Sequence, residues 1–544
     1  MLRVFRLFII FANLISILFS SLSVPAWLGT DFSSCRFEYL EYPDCAVTDL
    51  SVTPLSDEDI KHRADEGIGE KENIGYGDVS GIIKSPYYTA QINGVCVPVY
   101  AAAVFTGKNK KGALNSFSEV YVNKGETVDL RLELTSKDFT IKNAVCLPES
   151  NGITPYCKNG VMRAQIKDFG IYSFLFNYLN QDFAFTFFVC ENTDDDEKIA
   201  SYISVYGEEN VKVFDAGLHT FDYINVKNKN GYVVYLRKGA YLSANHKYDI
   251  KKEEDNEKYI EPEASGSNAI GLTRFPFINF YNCRDVKICG YGVIDLNHLD
   301  RNERLGVVFC RCGETELSGP KIINPPTWAV ITSECENVKI DNTDIFGYRL
   351  NSDAYAICNS HNVSVERCYA RSGDDLFDVK TLGGNMTSEN IVFTNCAAWN
   401  GKARCFGICG EVEKDIKNIT FKDCAVIYRD AVWDKDRIAS LAIIDEVCGG
   451  RVENVTFENI EIFRDEGRAI CCMIYDDGIR STEISNITFK DIKYTSKLKS
   501  KVYSGDQSNR VSVNVNNVRA NGVSASVLRF SAFTKDRYSD ISYN

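Results

Sequence analysis

From Val211 onward the chain is patterned by a short motif, a polar residue followed by apolar positions that alternate with other residues. It reads Asn337-Val-Lys-Ile, Asn362-Val-Ser-Val, Asn390-Ile-Val-Phe, Asn418-Ile-Thr-Phe, Asn454-Val-Thr-Phe and Asn486-Ile-Thr-Phe, with Asp285-Val-Lys-Ile and Glu314-Thr-Glu-Leu upstream. Alternation with a period of two marks a strand with one buried face. Successive copies lie 23–36 residues apart, too irregular for a helical array and shorter than the ~40–50 residues of a propeller blade. One such strand per repeat, with further short β runs between, predicts an all-β fold, a right-handed parallel β-helix over Val211 to about Tyr494. Its coils would stack at ~4.8 Å with apolar side chains in the bore and variable turns outside.

The region before it has another rhythm. Between Cys35 and Cys190, β-rich runs alternate with turns: Tyr87 to Tyr100, Ser118 to Val122, Thr127 to Leu134, Phe139 to Val145, Met162 to Ile166 and Tyr172 to Val189. Antiparallel strands at such intervals predict a β-sandwich. The Gly-rich, charged stretch from Asp57 to Asp78 reads as a loop, and the acidic run Asp194 to Lys198 as an interdomain linker. At the extreme N-terminus, Arg3 and Arg6 precede an apolar run from Leu7 to Phe19 closed by small residues and Ala26, the layout of a secretory signal peptide. The expected organisation is a signal peptide over 1–26, a sandwich over 27–205, a β-helix over 206–535 and a polar tail over 536–544, in a secreted protein.

Charge and cysteine content narrow the partners. With 61 Lys+Arg against 74 Asp+Glu the net charge is −13, which gives nucleic acid no general attraction, and no later segment is long and apolar enough to span a bilayer. Twenty cysteines in an exported chain suggest disulfides, and the sequons at Asn362, Asn385, Asn418, Asn454 and Asn486 are compatible with a glycoprotein, although most sit in the repeated strand motif, which explains them structurally. Several cysteines, among them Cys335, Cys358, Cys368, Cys396 and Cys424, lie inside apolar strand-like runs where a buried thiol competes with a bridge.

Counting back from the repeat motif aligns a second strand of each coil. Trp328-Ala-Val-Ile-Thr starts nine residues before Asn337 and Asp353-Ala-Tyr-Ala-Ile nine before Asn362; Asp375-Leu-Phe-Asp-Val and Arg404-Cys-Phe-Gly-Ile follow in later coils. The alignment predicts a column Trp328, Asp353, Asp375, Arg404 on one outer face, with Asp374 beside it. Stacked carboxylates repel and do not serve a stable surface. Glycoside hydrolysis needs such a group, an acid to protonate the leaving oxygen and a carboxylate to act on water. Asx-turns at strand ends, or a lyase-type calcium site, would also place aspartates here.

Asn351-Ser-Asp353 and Gly373-Asp-Asp375 resemble the Asn-Thr-Asp and Gly-Asp-Asp motifs of the polygalacturonase family, glycoside hydrolase family 28, and those of the related dextranase and isopullulanase group, family 49. Ile323-Asn-Pro-Pro-Thr-Trp328 is similar to the segment that presents an aromatic to substrate there. The resemblance covers Val211 to Lys493, and the dextranase group shares the preceding sandwich. It implies an inverting hydrolase with Asp374 as general acid and Asp353 and Asp375 activating water; Trp328 and Arg404, which flank the column, are expected to contact sugar, with a packed ring and a salt bridge to Asp375 as their other readings, and Asn351 and Lys380 are further substrate-binding candidates. No metal or cofactor is implied; the partner is a polysaccharide, and the protein is read as a monomer. For Asp374 and Asp375 to serve together, a turn or bulge at Gly373 must override strand alternation, and two neighbouring carboxylates should raise the pKa of Asp374.

Two departures bear on substrate. The family 28 Gly-His-Gly motif is replaced by Arg404-Cys-Phe-Gly-Ile-Cys-Gly410, and the Arg-Ile-Lys motif that holds the substrate carboxylate becomes Arg437-Ile-Ala439. These favour a neutral glucan over galacturonan. A pectin hydrolase, a lyase or epimerase, and a non-catalytic carbohydrate-binding solenoid stand as the alternatives.

Overall fold

A computed structural model describes residues 35–44, 81–105, 113–135, 140–177, 180–245, 276–299, 304–430, 437–447, 449–475 and 482–544, with residues 25, 28 and 434. The expected signal peptide, apart from Pro25, and the Asp57 to Asp78 loop lie outside them. The chain forms two compact units, one drawn from Met1–Glu41, Ile83–Ala101 and Leu114–Thr193, the other from Tyr42–Ile82, Ala102–Ala113 and Asp194–Asn544.

In the N-terminal region, alternation produces two sheets. Strand Val161–Ile166 buries every second residue and pairs antiparallel with Val128–Leu134 in a five-stranded sheet. The inward residues of that sheet, among them Leu130, Leu132, Met162 and Ala164, share one core with Phe174, Phe185 and Phe187 of a seven-stranded sheet. The sandwich is not wholly antiparallel as expected, because Asn180–Glu191 runs parallel to Ala113–Val122. The run from Tyr172 to Val189 is a hairpin rather than one strand, with Gly170–Phe176 folding back on Asn180–Glu191.

The acidic run at Asp194 follows the end of the first unit at Thr193, as an interdomain linker would, but it is helical. It opens an α-helix, Asp195–Tyr206, whose N-cap Asp194 accepts from the backbone N–H of Asp196 at 2.8 Å and Glu197 at 3.1 Å. Four consecutive acidic side chains suit a helix N-terminus, where the orphan N–H groups and the positive dipole end attract anions.

From Val211–Phe214 to Ser539–Tyr543, thirty-two strands among the described residues join in one sheet, each pairing in parallel with the third strand after it over most of the length. Three strands therefore make a coil. Among the described residues of 211–494 there is no helix. The bore is filled by the apolar positions of the motif: Phe393, Phe421, Phe457 and Phe489 stack at 4.7, 4.8 and 5.0 Å, the spacing of the strands that carry them. The segment 536–544 is no tail, since Ser539–Tyr543 pairs with Arg510–Asn516 and extends the stack.

The polar residue that opens each motif has a definite task. Asn337, Asn362, Asn390, Asn418, Asn454 and Asn486 all take φ between 52° and 59°, the left-handed conformation that asparagine tolerates best after glycine. Each turns the chain into its strand, and each Nδ2 donates to the side-chain oxygen one coil earlier, from Asn486 back to Glu314. Four of the five sequons belong to this ladder. Every cysteine among the described residues is a free thiol, so the disulfides expected of an exported chain are not seen there; Cys335, Cys358, Cys368, Cys396 and Cys424 are buried.

Candidate active site

Five strands of successive coils carry the site: β1 (Val330–Ser333), β2 (Tyr355–Cys358), β3 (Phe377–Thr381), β4 (Phe406–Val412) and β5 (Ala439–Val447). Val330, Tyr355, Phe377, Phe406 and Leu441 are register partners in turn. Two residues before the first four stand Trp328, Asp353, Asp375 and Arg404, and the backbone bonds from Ala329 to Asp353, Ala354 to Asp375 and Leu376 to Arg404 run 2.8–3.1 Å. The column inferred from spacing is therefore in register. All four of its side chains are buried.

Asp374 escapes the alternation because the chain bends at Gly373 and Asp374, between strand Tyr369–Ser372 and β3. Glycine is needed there: a Cβ at 373 would collide with the carbonyl oxygen of Arg349. The bend leaves 14% of the Asp374 side chain exposed, against 4% for Asp353 and Asp375. A turn over residues 400–404 fixes its surroundings. Asn400 Nδ2 donates to the carbonyls of Asp374 (2.7 Å) and Arg404 (2.8 Å), and its Oδ1 accepts from the N–H of Lys402 (2.6 Å) and Ala403 (2.7 Å). Lys402 Nζ lies 2.9 Å from Asp374 Oδ2, and the Asn351 N–H is 3.3 Å from the same oxygen.

Two buried cations serve the buried carboxylates, Arg404 for Asp375 and Lys380 for three others. Asp375 faces Arg404 Nη1 at 2.9 Å and the Arg404 N–H at 3.0 Å, while Arg404 Nη2 reaches Glu446 at 2.7 Å. Lys380 Nζ lies 2.9 Å from Asp353, 3.2 Å from Asp378 and 3.4 Å from Glu411. Burial and the negative charges of Asp374 and Asp375 push Asp353 up to about 8 despite Lys380. Burial also raises Asp375 and Glu411, and lifts Asp378 well above the usual carboxylate range. Asp374 moves the other way: burial acts to raise it, but the attraction and hydrogen bond of Lys402, with Arg404 and Lys380 behind, hold it below its ordinary value. The raised pKa expected for Asp374 is thus not found in the ligand-free site; a partner absent from the sequence argument outweighs the like charges.

Three residues assigned to sugar contact have other surroundings. Trp328 is 3% exposed and packs among Leu305, Val308, Ile331, Ala356, Cys358 and Leu382, with Lys380 Nζ 4.2 Å from its ring centroid. It is a packed ring over a buried cation. Arg404 is the salt-bridge partner of Asp375, and Lys380 is buried among carboxylates. Asn351 stays part-exposed, its Nδ2 3.2 Å from Thr327 Oγ1. Lys402, Asp378, Glu411 and Glu446 were missed. Only Asp378 left a trace, two residues before Lys380 on the same strand face.

Asp375, Asp378 and Cys409 bring ligand atoms within 4.8 Å of one another. Arg404 and Lys380 already supply positive charge to the two carboxylates, and burial keeps the Cys409 thiol protonated, so this donor set is poorly suited to a cation.

Residues 295–536, which include all of these groups, match the sequence model of Glycosyl hydrolases family 28. The chain is 25% identical over 185 residues to a polygalacturonase of Juniperus ashei and 21% identical over 216 residues to one of Chamaecyparis obtusa. These alignments cover 32% and 36% of this chain, and span 34% and 38% of the length of those relatives. The solved structure of Dex49A from Penicillium minioluteum superposes over 93% of this chain and 99% of its own, with a TM-score of 0.61 at 11% identity; this likeness is one of fold. Fold and site together define a pectin-lyase-like parallel β-helix with a buried acidic centre. The stretch that bears the aspartates resembles family 28, and the architecture as a whole resembles that of family 49.

Proposed function

We propose that the chain is a glycoside hydrolase that cleaves O-glycosidic bonds of a polysaccharide at Asp353, Asp374 and Asp375. The observation that carries the reading is three carboxylates from adjacent coils held in unlike environments, one on an accessible bend beside an ammonium and two buried. Environments that drive like groups apart in pKa are how one site supplies both a proton and a base; without substrate the raised group is Asp353 and the lowered one Asp374, so the roles that follow require substrate to shift both. Asp374, the most accessible, is the group that reaches a glycosidic oxygen, and Asp353 and Asp375 act on water. For Asp374 to carry a proton, Lys402 must withdraw, and a sugar that engages the ammonium would draw it off. The reaction inverts the anomeric centre and needs no cofactor or metal, and the protein acts as an exported monomer. Among the described residues no helix is long and apolar enough to cross a membrane.

For the substrate, a pectic polymer of the polygalacturonase type is the reading supported by the family 28 match and the two curated relatives, in preference to the neutral glucan that the missing histidine and lysine favoured. One observation keeps the glucan as a second reading. Lys380 and Arg404 are buried against Asp353, Asp378, Glu411, Asp375 and Glu446, so their positive charge is already taken up and a polyuronate gains little attraction from them. The test is to incubate the purified protein with polygalacturonate, rhamnogalacturonan, dextran and pullulan, following reducing ends and the anomeric form of the first product. Release from the pectic polymers with inversion is expected. Release from α-glucans alone would select the second reading, retention would exclude the inverting mechanism, and unsaturated products would make it a lyase.

A further inference from the structure

Lys380 sits where no solvent-facing lysine would. Its side chain is 4% exposed, and burying an ammonium is tolerated only when charges surround it. Its neighbours come from consecutive coils: the Trp328 ring before β1, Asp353 before β2, Asp378 on β3 itself, and Glu411 on β4. The last is delivered by an irregularity. Val379 pairs with Ile408 but Thr381 with Val412, so three residues of β4 stand opposite Lys380 alone, and Gly410 takes φ 106° within that bulge. Bulges beside active sites re-aim side chains, and this one turns Glu411 toward Lys380. Alternation sends Asp378 and Lys380 out of the bore together, while Phe377 and Val379 point in.

We propose that Lys380 is a positioning residue of the reaction centre: its buried ammonium holds the Asp353 carboxylate in place for catalysis and touches no sugar. Rotation of Asp353 away from the ammonium would strand a charge that Asp378 and Glu411 could satisfy only in part, so the carboxylate is held at one position. Trp328 closes the outer side of the ammonium and keeps water from competing for it. The ionisable groups that act on this ammonium, or that it acts on, are Asp353, Asp374, Asp375, Asp378, Glu411, Cys358 and Cys409. Apart from Lys380 itself, the cation that acts on Asp375 and Glu411 from close by is Arg404. Removing Lys380 takes from Asp353 the cation that favours its charged form, so Asp353 should ionise only at still higher pH.

The assignment rests on the hydrolase reading and is tested so that the two can fail separately. Lys380→Met and Lys380→Arg are compared with the native chain in kcat, KM and the pH dependence of kcat/KM on whichever polymer is cleaved. Misplacement of a reacting group costs about 100-fold, and a loss of that order in kcat is expected for Lys380→Met with KM within about twofold of native, because no sugar contact is lost. The acid-side limb should move to higher pH and Lys380→Arg should move it back. In parallel, infrared difference spectra between native and Asp353→Asn protein, repeated on the Lys380→Met background, follow the Asp353 carboxyl through a pH titration and need no turnover. A rise in KM with kcat and the limb unchanged would make Lys380 a sugar ligand. A lowered Tm with an unmoved limb and an unmoved Asp353 titration would leave it purely structural; either result overturns the assignment. If the native chain cleaves no polymer, the hydrolase reading falls, and the infrared titration still decides whether Lys380 governs Asp353.

Discussion

Two columns of polar side chains climb the same coils and obey opposite rules. The asparagine ladder is neutral and self-complementary: each carboxamide donates to the coil before and each but the last accepts from the coil after, so it repeats from Asn337 to Asn486 without interruption. The acidic column cannot repeat. Two carboxylates, Asp353 and Asp375, stand one coil apart before a cation, Arg404, takes the next position, and Lys380 and Lys402 fill the spaces beside them. A stack that is stable by its own chemistry serves architecture; one that needs separate counter-charges and shifted protonation marks chemistry beyond folding.

The sharpest way to break the comparison is at the acid itself. Asp374→Asn should lower turnover of the natural polymer by roughly 10²–10⁴-fold while leaving Tm near native, because the side chain stands on a part-exposed bend. Near-native turnover in that variant would remove Asp374 from the chemistry.

Trp328→Ala tests whether the upstream end of the column is packing or platform. Loss of a buried tryptophan should cost about 3–5 kcal/mol in denaturant unfolding, with KM for oligosaccharide little changed. Weakened binding at unchanged stability would return the ring to the sugar.

Lys402→Met sharpens the electrostatic half. The ammonium lowers the Asp374 pKa; without it the carboxyl keeps its proton to higher pH, so the alkaline limb of kcat/KM should move to higher pH. A limb that stays in place, or moves down, would indicate that Asp374 works ionised and that the proton resides on Asp353.

The smallest effect is expected in the ladder. Asn418→Ala forces an alanine to φ near 57° and breaks two side-chain bonds, with a loss of about 1–2 kcal/mol. Asn418→Gly should recover the backbone part and lose only the bonds. Equal losses in both variants would show that the left-handed turn contributes nothing, and neither should alter turnover.

Much of the coil was legible beforehand because it follows from neighbours in the chain. Alternation in Asn454-Val-Thr-Phe puts Val455 and Phe457 in the bore, and the constant nine-residue offset to Trp328 and Asp353 held because the turn between those strands has constant length. Local reading missed a helix where its end effect read only as a linker, at Asp194, where charged acids are favoured by the first turn.

By itself, then, the amino-acid order determined the parallel stack, the register of its strands and the column that includes Asp353 and Asp375, since period-two patterning and turn residues act within a few positions of where they stand. Only the tertiary structure decided that the column is buried while Asp374 beside it is part-exposed, that Trp328 packs over Lys380, that a bulge carries Glu411 to the same ammonium, and that Lys402 holds the Asp374 carboxyl below its ordinary pKa. Those outcomes depend on burial and on distances between residues 28 to 52 positions apart, and Coulomb energies change several-fold with such surroundings, which no local pattern encodes.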